Sequence, residues 1–144
     1  MNTRYIASLV LVLTLPVGSA IAAEKIAVIV NAKNTQTLLA ADVKNIYKDN
    51  VVTWSSGAPI SVYDLPVKSE FRETFSQRVL GTSARDAATE WANKKITNSA
   101  KNPPTTKPDA VVISNVASEP GAIGYVSADA VAGKEGIRVV LTIE

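Results

Sequence analysis

The sequence predicts an α/β domain with a mostly parallel β-sheet and helices on both faces. Apolar segments with strand character alternate along the chain with segments whose apolar residues recur at helical spacing. The run Lys25–Val30, KIAVIV, is almost wholly apolar, which is typical of a strand buried on both faces of a parallel sheet. No internal repeat that would indicate a solenoid is visible.

Residues 1–22 are a predicted secretory signal peptide. Arg4 supplies a positive charge before the apolar run Ile6–Leu15, which is too short to span a bilayer in the ordinary way. The tripeptide Ala20-Ile21-Ala22 fits the small-residue pattern of a cleavage site, so we expect cleavage after Ala22. Residues 23–144 then suit one compact periplasmic domain, and no later apolar run is long enough for a membrane span.

Periodicity and turn residues place the elements of this domain. Polar loops are predicted at 31–37, 48–59 and 94–107, and Gly124 indicates a close backbone approach within a strand. The predicted elements are strands at 25–30, 60–63, 122–126 and 137–143, and helices at 39–47, 69–80, from 83 past 91, and 109–118.

The two tryptophans are both predicted to be buried. Trp54 lies in a polar loop and is expected to pack over the core, because an exposed indole would leave a large apolar area in contact with water. Trp91 follows a stripe of small residues on a helix, which allows close helix approach. Ala84, Ala87 and Ala88 form the stripe, and Trp91 lies on the same stripe at its end.

The helix that begins near Ser69 is the main candidate for function. Ser69 follows a strand and a short turn, and its hydroxyl can cap the helix by accepting a bond from a backbone N–H. Phe71, Phe75 and Val79 form one apolar stripe, and Gly81 is expected to end the helix. Free N–H groups, a serine hydroxyl and the positive end of the helix dipole also suit an anion. The simpler interpretation is that Ser69 only caps the helix.

The composition argues against several classes of function. The chain contains no histidine and no cysteine, which removes the commonest general base, the soft metal ligands and the thiol nucleophile. Dinucleotide, P-loop and calcium-loop patterns are absent from the sequence. The formal net charge of +2 is too small to indicate nucleic-acid binding. We therefore expect neither an enzyme nor a protein with a cofactor or metal.

Two motifs resemble the phosphate-binding proteins of phosphate ABC transporters, within the type II periplasmic binding protein superfamily. SEFRETF at residues 69–75 follows a strand and opens a helix, and EPGAIGYV at residues 119–126 follows a later helix. The resemblance implies a single lobe of that fold. It also implies a ligand site for phosphate or another oxyanion that includes Lys68, Ser69 and Arg72. Glu70 and Phe71 occupy the positions of the family's glycine and threonine.

The resemblance implies a secreted, phosphate-type solute-binding or sensing domain. Such proteins close two lobes over the ligand, whereas this chain has room for one, so binding is expected to be weak or to require a partner. The alternative is an interaction module that has kept the fold without a ligand. It would dock on an envelope protein or self-associate.

Overall fold

The structure is a computed structural model that describes residues 24–144. These residues form one five-stranded sheet with four α-helices. The predicted signal peptide and its cleavage site lie outside the described residues. The elements are β1 (Ile26–Asn31), α1 (Ala40–Tyr47), β2 (Ser61–Asp64), α2 (Glu70–Phe75), α3 (Ala84–Ile96), β3 (Thr105–Thr106), α4 (Asp109–Ser118), β4 (Ala122–Ser127) and β5 (Ile137–Ile143). A π-helical turn, Ser76–Leu80, extends α2, and a 3-10 turn, Ala128–Val131, follows β4.

The sheet has the strand order β3-β2-β4-β1-β5 and is mixed rather than mostly parallel. β2 runs parallel to β3 and β4, whereas β1 runs antiparallel to β4 and β5. The α/β class is confirmed, but the parallel share of the sheet is lower than predicted. The apolar run of β1 reports burial on both faces, which a central antiparallel strand can also have, so it does not fix strand direction.

Helices cover both faces of the sheet, as predicted. A Cβ atom on Gly124 would lie 2.5 Å from Val112 Cγ1, so α4 packs directly on the backbone of β4. The next residue, Tyr125, faces the opposite side. There its ring stacks on Phe75 with a centroid distance of 3.8 Å, and Tyr47 of α1 packs edge-on against both rings. The close approach predicted at Gly124 is thus confirmed.

The predicted helices and strands are present, and one short strand was missed. Thr105 and Thr106 pair with the end of β2 inside the segment predicted as a surface loop. Two residues are too short for a periodic signal, so the sequence gives no sign of this strand. Asp49 anchors the loop, because its carboxylate accepts bonds from the backbone N–H groups of Lys101 (2.7 Å) and Asn102 (2.8 Å).

None of the helices between residues 24 and 144 is both long and apolar enough to cross a membrane.

Candidate functional site

The predicted anion turn lies between the end of β2 and the start of α2. Ser69 is the N-cap of α2, as predicted, and its Oγ accepts a long bond of 3.4 Å from the backbone N–H of Arg72. The backbone N–H of Ser69 donates to the Pro66 carbonyl at 2.9 Å, which closes the turn. The first N–H groups of a helix have no acceptor within it, so those of Glu70 and Phe71 face outward from this end.

The five predicted ligand residues do not converge on one point. The side chains of Lys68 and Glu70 are exposed, Ser69 is half-buried, and Phe71 packs partly against the core. Arg72 turns inward and is only 5% exposed. The turn therefore has one exposed cation, Lys68, beside one exposed carboxylate, Glu70.

Arg72 belongs to a buried polar network beneath the turn. Its Nη1 donates to the Leu65 carbonyl at 2.8 Å, and its Nη2 lies 3.3 Å from Oδ2 of Asp64. The other Asp64 oxygen, Oδ1, accepts from the Leu65 N–H at 2.9 Å and from the Tyr125 hydroxyl. Arg72 Nε has no partner, and it is the one buried side-chain nitrogen or oxygen in residues 24–144 left in that state.

Burial raises the pKa of Asp64 above its ordinary value of 3.8, because desolvation penalises the carboxylate. The Arg72 guanidinium and the hydrogen bonds from Tyr125 and Leu65 act in the opposite direction and limit the rise. The guanidinium charge of Arg72 is thus largely matched by Asp64, below the turn rather than at its surface.

A cavity of about 250 Å³ opens beside this network, between β2, β3 and α3. We call it the β2–α3 cavity. The position of α3, which forms one wall of the cavity, is fixed at its start by Glu73 of α2, whose carboxylate accepts a hydrogen bond from the Ala84 N–H at 2.9 Å. The cavity is lined by Asp64, Val67, Arg72, Ala88, Trp91, Ala92, Lys95, Pro104 and Thr106.

Trp91 lines this cavity and is half-buried, so the prediction that it is buried in the core is wrong. Only Ala84 and Ala87 of α3 are buried. The alanine stripe lets the first turns of α3 approach the domain, but the helix then runs outward along the cavity. Small residues permit close packing without requiring it at every turn.

A second cavity, of about 340 Å³, lies at the loop after β1 and is called the β1-loop cavity. The side-chain oxygen of Gln36 accepts bonds from the Ser55 N–H (3.1 Å) and hydroxyl (2.8 Å). Trp54 is 6% exposed, as predicted, and its Nε1 donates to the Gly121 carbonyl at 2.9 Å. The lining residues are Lys33, Asn34, Thr35, Gln36, Trp54, Ser55, Ser56, Ala58, Pro120 and Gly121.

The sequence interpretation missed the part of the site formed by Asp64, Trp91 and Lys95. A carboxylate at the end of an otherwise apolar strand, eight positions before an arginine, was the available signal for the Asp64–Arg72 pair. The cavity itself depends on where α3 and β3 lie and has no local signature. Within residues 24–144, no group of three or more acidic, histidine or cysteine side chains is placed to hold a metal ion.

Three solved structures that share this fold have descriptions that refer to phosphate binding or phosphate transport. An ABC-type phosphate transport receptor from Vibrio cholerae aligns with a TM-score of 0.63 and 17% identity, over 81% of this chain and 45% of that one. A Clostridium perfringens protein, described as the substrate-binding protein of a phosphate ABC transporter and solved with bound phosphate, aligns with a TM-score of 0.61 and 22% identity, over 81% and 44%.

A possible phosphate binding protein from Planctomyces limnophilus DSM 3776 gives a TM-score of 0.62 and 19% identity, over 81% of this chain and 40% of that one. At these identities the likeness concerns the fold, and this chain spans less than half the length of each of the three proteins. No curated protein sequence matches the chain.

The family model of a PBP superfamily domain, where PBP stands for periplasmic binding protein, matches residues 17–141. This match covers most of the chain and agrees with the single-lobe α/β architecture described above. The chain therefore belongs to the family of PBP superfamily domains.

Proposed function

We propose that this protein is an exported, non-catalytic solute-binding or sensing domain that binds an oxyanion such as phosphate at the turn Lys68–Phe71. The observation that carries the proposal is the position of Ser69, which caps α2 where the parallel strand β2 ends. Ligands of open α/β sheets bind outside the carboxyl ends of the strands. Membership of the PBP superfamily supports a solute-binding role.

The turn offers donors suited to an oxyanion. The Ser69 hydroxyl accepts only a long bond within the helix, so its proton is available to a ligand oxygen. The N–H groups of Glu70 and Phe71 add two backbone donors at the positive end of the helix dipole. Lys68 supplies an exposed positive charge beside them.

Two features keep the expected affinity low. Glu70 places an exposed carboxylate next to the bound anion, and the charge of Arg72 is directed inward to Asp64. The turn also lies on a single lobe formed by the described residues, and at the surface of one lobe water screens the hydrogen bonds of a bound ligand. We expect dissociation constants from about a hundred micromolar to the millimolar range, which corresponds to about 4–6 kcal/mol.

Calorimetric titration with phosphate and sulfate at low salt tests the site. Ser69→Ala should weaken binding, whereas Ser83→Ala should not, because Ser83 caps α3 in the same way but lies outside the turn. The double variant Glu70→Gly/Phe71→Thr should bind phosphate more tightly, since it removes the opposing charge and adds a hydroxyl donor.

If neither the natural protein nor the double variant binds an oxyanion, solute binding at this turn is wrong. The interaction module is then the remaining interpretation. A pull-down from an envelope extract and analytical ultracentrifugation would identify a partner protein or self-association.

Export is proposed from the signal-peptide pattern of residues 1–22. Mass spectrometry of the protein isolated from the cell envelope should give a mature chain that begins at Ala23. Recovery of an envelope form that still begins at Met1 would contradict cleavage after Ala22.

A further inference from the structure

We propose that the β2–α3 cavity binds a small organic monocarboxylate, with the carboxylate on Arg72 Nε and the apolar part of the ligand against Trp91. This site is separate from the turn Lys68–Phe71, and the proposal does not depend on oxyanion binding there. The four residues of the turn do not line the cavity, whereas the residues on either side of it, Val67 and Arg72, do.

The first observation is the unpaired Nε of Arg72. Both of the residue's Nη atoms have partners, in the Leu65 carbonyl and the Asp64 carboxylate, whereas Nε has none. A buried guanidinium N–H without an acceptor is costly, so the fold gains when an acceptor arrives. Arg72 lines the cavity while its Nε is buried, so a ligand inside the cavity supplies that acceptor through a small shift of the Arg72 side chain.

The second observation is the charge of the lining. Asp64 carries one negative charge, and Arg72 and Lys95 carry one positive charge each, while the other lining residues are uncharged. The cavity therefore has a net charge of one positive unit, which a monoanion neutralises. Lys95 is exposed and can approach the ligand from the solvent side.

The third observation is the apolar wall. Val67, Ala88, Trp91, Ala92 and Pro104 form most of the lining, and this apolar part offers inorganic phosphate no hydrogen-bond donor but suits a hydrocarbon group. Lys94 Nζ lies 5.0 Å from the centre of the Trp91 ring, a cation–π distance that restrains the indole.

The size of the cavity sets the size of the ligand. Its volume of about 250 Å³ lies just below the range of about 300–1,000 Å³ typical of pockets for drug-sized ligands. A carboxylate with a short branched or single-ring body is the class of ligand that fits.

Nuclear magnetic resonance of the purified, ¹⁵N-labelled protein tests this assignment directly, with benzoate and isovalerate as probes. Both carboxylates should shift the Arg72 Nε–H resonance and the backbone amides of Ala88–Lys95 in a saturable way. Benzamide, which has the shape of benzoate without its charge, should not shift the Arg72 resonance.

Two pairs of variants sharpen the result. Ala92→Leu should fill the cavity mouth and abolish the shifts, whereas Asn93→Leu, on an exposed neighbour outside the lining, should preserve them. Lys95→Gln should weaken binding about two- to fivefold, the effect of removing one exposed charge. Ser69→Ala should leave carboxylate binding unchanged even though it weakens oxyanion binding at the turn.

The absence of a saturable shift of the Arg72 Nε–H resonance with either carboxylate would overturn the proposal. Equal responses to benzoate and benzamide would overturn it as well, because the charge would then play no part. A response to phosphate that Ser69→Ala removes would support only the turn site.

Discussion

The β1-loop cavity and the β2–α3 cavity differ in how their polar groups are satisfied. The β1-loop cavity is the larger, but Gln36 pairs with Ser55, and Trp54 Nε1 pairs with the Gly121 carbonyl. The smaller β2–α3 cavity has a buried ion pair at its floor and one buried N–H without an acceptor. Cavity volume therefore says less about ligand binding than the state of the donors that line the cavity.

The largest expected effect on stability comes from breaking the Asp64–Arg72 ion pair beside the β2–α3 cavity. Arg72→Met leaves the Asp64 carboxylate buried without its cation, which should lower the free energy of unfolding by about 3–5 kcal/mol at pH 7. Urea unfolding followed by circular dichroism measures the change. Gln36→Ala is the control in the other cavity, because it removes exposed bonds and should cost only about 0.5–1.5 kcal/mol.

The double variant Arg72→Met/Asp64→Asn should recover part of this loss, since it removes the unpaired charge. Equal losses in the single and double variants would show that packing of the Arg72 side chain, rather than its charge, carries the effect.

The next largest effect on stability compares the two tryptophans. Trp54 lines the β1-loop cavity and Trp91 lines the β2–α3 cavity. Trp54→Ala should lower the free energy of unfolding by about 3 kcal/mol, because it removes a buried ring and its bond to Gly121. Trp91→Ala should cost about 1 kcal/mol, the typical value for a residue outside the core. Losses of similar size in urea unfolding would contradict the contrast between the cavities.

The smallest effect is the pH dependence of the Arg72→Met variant. The pKa of Asp64 is already raised by burial, and removing Arg72 removes a group that lowers it. A raised pKa means that the folded state favours the protonated carboxyl, so stability is lost as the pH rises through the folded pKa.

The deficit of Arg72→Met is the amount by which its free energy of unfolding lies below that of the natural protein. This deficit should therefore be smaller near pH 4 and grow toward pH 7. Unfolding curves across this range measure it, and in the double variant with Asp64→Asn the deficit should not grow with pH, because no carboxyl group is left at this position to titrate. If the deficit of the single variant Arg72→Met shrank with rising pH, the pH dependence would have the opposite sign and the role given to Asp64 would be wrong.

The sequence predicted the elements of this fold well because their signals are local. The N-cap at Ser69, the left-handed turn at Gly81 and the contact at Gly124 each depend on one residue type in a defined place. The direction of β1 and the strand β3 depend on pairing with distant segments, which periodicity does not report.

The candidate site was predicted less completely for the same reason. Arg72 follows Ser69 closely in the chain, and sequence spacing placed both in one anion site. Its side chain instead turns inward and reaches Asp64 in the core, and the spacing of two residues along a helix does not report which way a long side chain turns. The cavity wall from Trp91 and Lys95 depends on the path of α3.

The position of β1 has a consequence for the order of folding. β1 is the first described strand in the chain, yet it lies between β4 and β5, the last two. Its pairing, such as Ile26 with Ile143, closes the longest loops of the domain, so the centre of the sheet forms slowly and only when the late strands are available. A chain still emerging from the ribosome lacks those strands and holds β1 unpaired. That delay suits the export proposed above, in which the chain folds after it has been moved across the membrane.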